Sequence, residues 1–362
     1  MARLDKKPSI QEKIICGIQQ IGIGVSDLEA AWAWYRKHFG MDIPVFKDSG
    51  EASLMTSYTG GRVHSRSAVL AMNLLGGGGF EIWQYTSRTP QPPQNKPELG
   101  ERGIFICRIK SPDVRAVYSI FSERGANLLG EPVVDPGGEE HFFIEDPFGN
   151  IFQIVESSDW FSRPKGKTGG VAGCMIGVSH IEKSLPLYTE ILNYDKIIYD
   201  EEGVFADLEP LPGGNRRVRR VLLTHSERRR GSFSNILGSS KIELIELKEG
   251  RGNRIFENRQ WGDLGYIHLC FDVKGMDALE RECAERGYPF TVKSKGAFEM
   301  GNASGQFAYI EDPDGTLIEL VETYRIPIVK SLGLYLDIKK LKPQDPVPNW
   351  ILKALRLSRV KD

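Results

Sequence analysis

Two stretches of this chain spell nearly the same phrase: Phe143-Ile144-Glu145-Asp146-Pro147-Phe148-Gly149-Asn150 and Tyr309-Ile310-Glu311-Asp312-Pro313-Asp314-Gly315-Thr316. Each runs from an apolar strand into Asp-Pro-x-Gly, where proline sets φ and glycine takes the left-handed position, so each predicts a tight hairpin. Upstream of each lie a strand, near residues 104–110 and 266–273, and a helix ending at Arg124-Gly125 or Arg286-Gly287. The turn by itself is structural. Its recurrence within a longer shared pattern decides the fold.

Two further segments follow the same grammar. Residues 17–25 read as an apolar strand, and Asp27 caps a helix in which Trp32, Tyr35 and Phe39 recur at three- and four-residue spacing before Gly40 ends it. Strands near residues 43–47, 67–74 and 79–85 complete this repeat. Residues 175–185 match it through a shared Val-Ser step, Val25-Ser26 and Val178-Ser179. A helix to Leu192 and strands near 196–200, 217–224 and 241–247 follow. Residues 86–100 hold four prolines and read as a stiff linker, and residues 160–170 join the halves. The prediction is an α+β chain of four βαβββ modules forming two cupped mixed sheets. Modules one and two occupy an N-terminal domain at 14–160, and modules three and four a C-terminal domain at 168–326. A basic tail spans 327–362; its residues 339–362 carry seven basic and two acidic side chains, and 348–357 fit one amphipathic helix.

The 362 residues allow two or more packed units at about 100–200 residues each. With 40% apolar and 26% charged residues the chain is not a disordered one, and a net charge of −1 points to neither a nucleic-acid nor a membrane partner. No stretch approaches the ~18 uninterrupted apolar residues of a membrane-spanning helix. The basic residues near Met1 precede no apolar block, so no secretory leader is expected. Five scattered cysteines without a C-x-x-C read as buried thiols of a reducing compartment, which makes the cytoplasm the expected location.

Four βαβββ repeats, with Val25-Ser26-Asp27-Leu28 after the first strand and Asp-Pro-x-Gly before the last, resemble the vicinal oxygen chelate superfamily. That superfamily includes glyoxalase I, methylmalonyl-CoA epimerase, bleomycin- and fosfomycin-resistance proteins and extradiol dioxygenases. The likeness spans about residues 16–323 and suggests a tandem, four-module member. It implies that each repeat can offer two metal ligands, one on its first strand and one on its last. The eight corresponding positions here are Gln20 and Glu81, Ile104 and Gln153, Gly173 and Glu243, and His268 and Glu319. Repeats one and four thus hold a full set, Gln20, Glu81, His268 and Glu319, similar to the metal shell of eukaryotic-type glyoxalase I. Repeats two and three cannot close a site. The resemblance therefore implies that repeat one pairs with repeat four; pairing of three with four, giving Glu243, His268 and Glu319, and pairing of one with two stay open. Gln20 has an adjacent competitor, Gln19, since a one-residue slip exchanges them.

Strand alternation puts Glu81 on one face with Trp83 and sets Phe80 and Ile82 on the other. A carboxylate between apolar neighbours is costly to bury unless it is paired or binds a cation. One imidazole, two carboxylates and an amide oxygen suit a divalent zinc, nickel, cobalt, manganese or ferrous ion. Such an ion would chelate two substrate oxygens and polarise a carbonyl. Glu319 or Glu81 is then the candidate general acid/base that abstracts the neighbouring proton, as in a lyase or isomerase of the glyoxalase or epimerase kind. A ring-cleaving or hydroxyphenylpyruvate-type dioxygenase is the second reading, although the resemblance would require a histidine where Gly173 stands. A non-catalytic, resistance-type binding protein is the third. Glutathione as cosubstrate lacks its expected arginine, the corresponding position being Gly24. A small-molecule substrate is expected, with an anionic group as one option and a homodimer as one assembly. Seven arginines between Arg216 and Arg230 read either as a solvated hairpin or as an anion clamp.

Overall fold

The computed structural model describes residues 12–165, 167–294, 298–300, 303–329 and 334–361. Repeat one comprises β1 (Ile14–Gly24), α1 (Leu28–Phe39), β2 (Ile43–Glu51), β3 (Ser65–Met72) and β4 (Gly79–Tyr85). Repeat two comprises β5 (Gly103–Ser111), α2 (Val114–Glu123), β6 (Asn127–Val134), β7 (Glu140–Glu145) and β8 (Ile151–Glu156). Repeat three comprises β9 (Val171–Val178), α3 (Ile181–Pro186), β10 (Lys196–Gly203), β11 (Val218–Thr224), α4 (Ser234–Leu237) and β12 (Lys241–Leu247). Repeat four comprises β13 (Gly265–Lys274), α5 (Met276–Glu285), β14 (Val292–Lys293), β15 (Phe298–Met300), β16 (Ala303–Glu311) and β17 (Leu317–Val329). The tail adds β18 (Leu334–Asp337) and α6 (Asn349–Ala354). No helix among the described residues is long and apolar enough to cross a membrane.

Two mixed sheets result, and they pair the repeats crosswise. One sheet runs β14-β16-β17-β13-β1-β4-β3-β2 and the other β10-β11-β12-β9-β5-β8-β7-β6. Repeat one therefore joins repeat four through antiparallel β1 and β13, and repeat two joins repeat three through β5 and β9. Pairing of three with four, or of one with two, within a sheet is overturned by this order.

Local sequence explains the pieces. Asp27 and Asp113 cap α1 and α2 by accepting hydrogen bonds from Ala30 and Ala116, and Gly40 ends α1 at φ +61°. The buried faces of α1, α2 and α5 share one core with Phe80 and Ile82 of the first sheet and Phe152 and Ile154 of the second. The recurring hairpins lock the repeats together. Asp146 accepts from the backbone of Phe148 and Asn150 and from the Tyr35 hydroxyl of α1 at 2.6 Å. Asp312 does the same with Asp314, Thr316 and the Tyr188 hydroxyl at 3.1 Å.

Gly24 and Gly177 lie in the last two residues of β1 and β9, and each meets the backbone that enters its partner strand. A Cβ would lie 2.0 Å from the Asp263 carbonyl oxygen at Gly24 and 1.8 Å from that of Glu101 at Gly177. The crosswise pairing thus requires glycine at both places, and no arginine fits at position 24. Gly177→Ala should lower stability by about 1–3 kcal/mol through overpacking. Exposed Gly50, with open space around it, should tolerate alanine within about 0.5 kcal/mol. Urea unfolding of the two variants checks this; equal stabilities would contradict the close-approach account.

Candidate metal centre

The pairing of β1 with β13 brings four side chains from distant parts of the chain to one point. Gln20 comes from β1, Glu81 from β4, His268 from β13 and Glu319 from β17, and all four are buried. His268 Nε2 lies 3.1 Å from Glu319 Oε2 and 3.3 Å from Glu81 Oε2. The Gln20 amide nitrogen donates to Glu81 Oε2 at 3.2 Å and reaches Glu319 Oε2 at 3.5 Å. One donor atom each from Glu81, His268 and Glu319 falls within 4.8 Å of the others. Gln19 occupies a bulge between Ile18 and Gln20, which leaves Gln20 on the inward face with the carboxylates.

Neighbouring side chains hold the imidazole. Gly22 stands opposite His268 across the ladder, and a Cβ there would come within 2.4 Å of the ring. Trp261 lies parallel to the ring at 6.4 Å, and Trp83 packs edge-on to Trp261 at 4.3 Å. The Tyr309 hydroxyl lies 3.4 Å from His268 Nδ1. Burial pulls the imidazole's pKa down, but Glu319 and Glu81 outweigh it and push the value up to about 9. Tyr309 was not anticipated, although the register of the hairpin at Asp312 pairs it with Glu319.

The residues fit a divalent cation. His268 Nε2 is buried at ion-pair distance from both carboxylates, and Gln20 Oε1 is buried without a partner. Turning the Gln20 amide over exchanges nitrogen for oxygen, which would present a fourth oxygen or nitrogen donor to the same point. Two carboxylates, an imidazole and an amide oxygen match the donor preferences of manganese, ferrous iron, cobalt, nickel or zinc.

The corresponding place in the second sheet is built differently. Gly173 has φ +141°, and a Cβ there would sit 1.7 Å from the Lys241 carbonyl oxygen, so no ligating side chain can enter. Glu243 instead accepts from Arg220 Nε and the Tyr199 hydroxyl, both at 2.7 Å. Arg220 also reaches both oxygens of Asp207 at 2.8 Å, and Arg108 Nη1 lies 3.9 Å from Glu243. Burial would raise the Glu243 carboxyl, but Arg220 and Arg108 hold it below its usual range. His141 beside them is pushed down to about 4, by burial first and then by Arg108. Guanidinium groups thus neutralise this cluster from within the chain.

The arginines at 216–230 divide: Arg217, Arg228 and Arg230 are exposed, as a solvated hairpin would have them, but Arg220 and Arg229 are not. Arg220 is fully buried, and Arg229 is buried with its guanidinium donating to the Leu192 carbonyl at 3.1 Å. Arg216 pairs with Glu98, Arg217 with Glu202, and Arg219 with Asp200 and Glu182. Arg230 lies 3.9 Å from Glu227, Arg228 reaches Asn235, and none of the seven lines the cavity that Glu81 and Glu319 border. That cavity measures about 530 Å³ and has a mainly apolar wall; Gln20, Glu81, Tyr309 and Glu319 lie on its surface.

Comparisons with known proteins follow this geometry. The model of the Glyoxalase/Bleomycin resistance protein/Dioxygenase superfamily matches residues 17–154 and again 170–320. Glyoxalase I from Zea mays is similar in structure, with 14% identity, a TM-score of 0.51 and coverage of 96% of each chain. A candidate dioxygenase from Bacillus subtilis is similar at 15% identity and a TM-score of 0.56, covering 86% of each chain. These identities speak to the fold. No curated protein matches the sequence.

The arginine-filled cluster yields a prediction of its own. Arg220→Met leaves Glu243 and Asp207 buried without their partner, which should cost about 3–5 kcal/mol. Thermal unfolding with and without added manganese measures both the loss and any shift at the first-sheet centre. A fully stable variant would contradict the ion-pair account.

Proposed function

Because the chain belongs to the Glyoxalase/Bleomycin resistance protein/Dioxygenase superfamily, we propose that it is a divalent-metal-dependent lyase or isomerase. Its substrate would be a small oxygenated carbonyl compound bound through two neighbouring oxygens. The observation that carries this reading is the buried Nε2 of His268 held between the carboxylates of Glu81 and Glu319, both of which line a ligand-sized cavity. Residues Gln20, Glu81, His268 and Glu319 would hold the metal. The ion would supply Lewis acidity to a carbonyl oxygen, making the adjacent C–H bond more acidic.

The remaining roles belong to the chain itself. Glu319, or Glu81, takes the proton from the carbon beside the carbonyl and returns it at the same or the neighbouring carbon. Both carboxylates line the cavity, so either oxygen pair can face that carbon. Trp261 stands beside the imidazole with Trp83 packed against it, and the pair excludes water from this end. Gly22 and Tyr309 set the position of the ring. The mainly apolar wall also favours a second reading, a protein that sequesters a ligand without turnover.

Two measurements test the proposal. Metal analysis of the purified protein should give about one divalent ion per chain, falling below a tenth in His268→Ala; a metal-free wild type that takes up none on reconstitution would refute the centre. Deuterium exchange beside the carbonyl, followed by NMR over a panel of α-hydroxy and α-oxo compounds, should fall about a hundredfold or more in Glu319→Gln. Undiminished exchange would remove Glu319 from the role. Exchange absent from metal-loaded wild type across the panel would favour sequestration.

A further inference from the structure

The cavity is much larger than two chelating oxygens require, and its polarity is lopsided. Gln20, Glu81, Tyr309 and Glu319 supply polar groups from the candidate centre, and Glu51, Thr323 and a few serines are set into a mainly apolar wall that includes Val45, Phe46, Leu54, Phe307 and Ile326. Arg66, the one basic side chain among the described lining residues, is already engaged: it pairs with Asp48 at 3.1 Å and lies over Trp83. The walls therefore call for a neutral, apolar body.

Part of that wall comes from outside the four repeats. Leu352, Leu355 and Leu357, from α6 and the turn after it, line the cavity together with Ile236 and Leu237 of repeat three. The tail is tied in place. Val347 N donates to the Ser232 carbonyl at 2.8 Å, Val360 N donates to that of Asp42 at 2.9 Å, and Arg359 pairs with the Asp42 carboxylate at 3.1 Å. Leu352 is fully buried, whereas Leu357 is 73% exposed while still lining the cavity, which places it at the mouth.

We propose that the substrate is a lipophilic molecule with a chelating oxygen pair at one end. Its uncharged aliphatic or aromatic body lies against Leu352 and Leu355, so residues 348–358 determine specificity. The chelating end rests on the metal centre proposed above; the apolar body rests on the cavity alone. Apolar surface removed from water on both partners drives the binding, and it scales with the length of the body. A cavity of this volume is in the range that encloses drug-sized ligands.

Two probes read the two ends separately. N-phenyl-1-naphthylamine, a neutral fluorophore that needs no metal, is titrated into the full chain stripped of metal. Straight-chain hydroxamic acids from acetohydroxamic to octanohydroxamic acid, which chelate through two oxygens, are titrated into the manganese-loaded chain. The fluorophore should saturate at one site per chain, and hydroxamate affinity should rise roughly threefold to fourfold per methylene. Leu355→Asn should weaken octanohydroxamic acid about tenfold or more and leave acetohydroxamic acid unchanged; the wild-type length dependence stands even if that variant fails to fold. Fluorophore binding by a chain that takes up no manganese would fail the metal reading and still support the apolar body. No fluorophore binding together with a flat length dependence would overturn the proposal.

Discussion

The antiparallel pairing of β1 with β13 is the constraint on which the rest depends. It joins the first repeat to the last, and in doing so sets Gly22 opposite His268 and Gln20 opposite Cys270. Parallel pairing of β4 with β1 and of β17 with β13 then adds Glu81 and Glu319 from either side. Four donors separated by up to 299 residues thus become neighbours within one curved sheet. Such a gathering buries two carboxylates and an imidazole, which is unfavourable unless the charges are met.

The second sheet shows the same demand met in another way. Its topology repeats that of the first, and Glu243 and Gln153 still occupy the last-strand positions. There the carboxylate is neutralised by Arg220 and Arg108, and Gly173 has no room for a ligand because the Lys241 carbonyl fills the space. One duplicated architecture therefore carries two solutions to a buried carboxylate. A fixed guanidinium makes a closed structural cluster, whereas the first sheet brings an imidazole and an amide to its two carboxylates, a donor set that fits a divalent cation. The apolar cavity lies against the second of these.

Much of this was legible in the residues. The Asp-Pro-x-Gly turns and the Val-Ser step marked the four repeats, because turn chemistry and strand–helix punctuation are local properties. Glu81 and Glu319 stood out as carboxylates in apolar strands, and the uneven distribution of donors pointed to the pairing of repeats one and four that the sheet order shows. Gln19 and Gln20 could not be separated, since the bulge between Ile18 and Gln20 is set by the partner strand. The fate of the arginines was also hidden: Arg220 meets Asp207 and Glu243 only through tertiary packing. The tail carries no repeat signature, so its place in the cavity wall follows from tertiary contacts, among them those with Ser232 and Asp42 and the packing of Val347, Ile351 and Leu352 on Ile43 and Ile236.

The central claim is that the chain's two ends converge on one cation. Anomalous diffraction from crystals soaked in manganese tests it most directly. The account predicts a single peak per chain bounded by Glu81, His268 and Glu319, with none beside Glu243. No peak at that place, or a peak within the Arg108–Arg220 cluster, would contradict it.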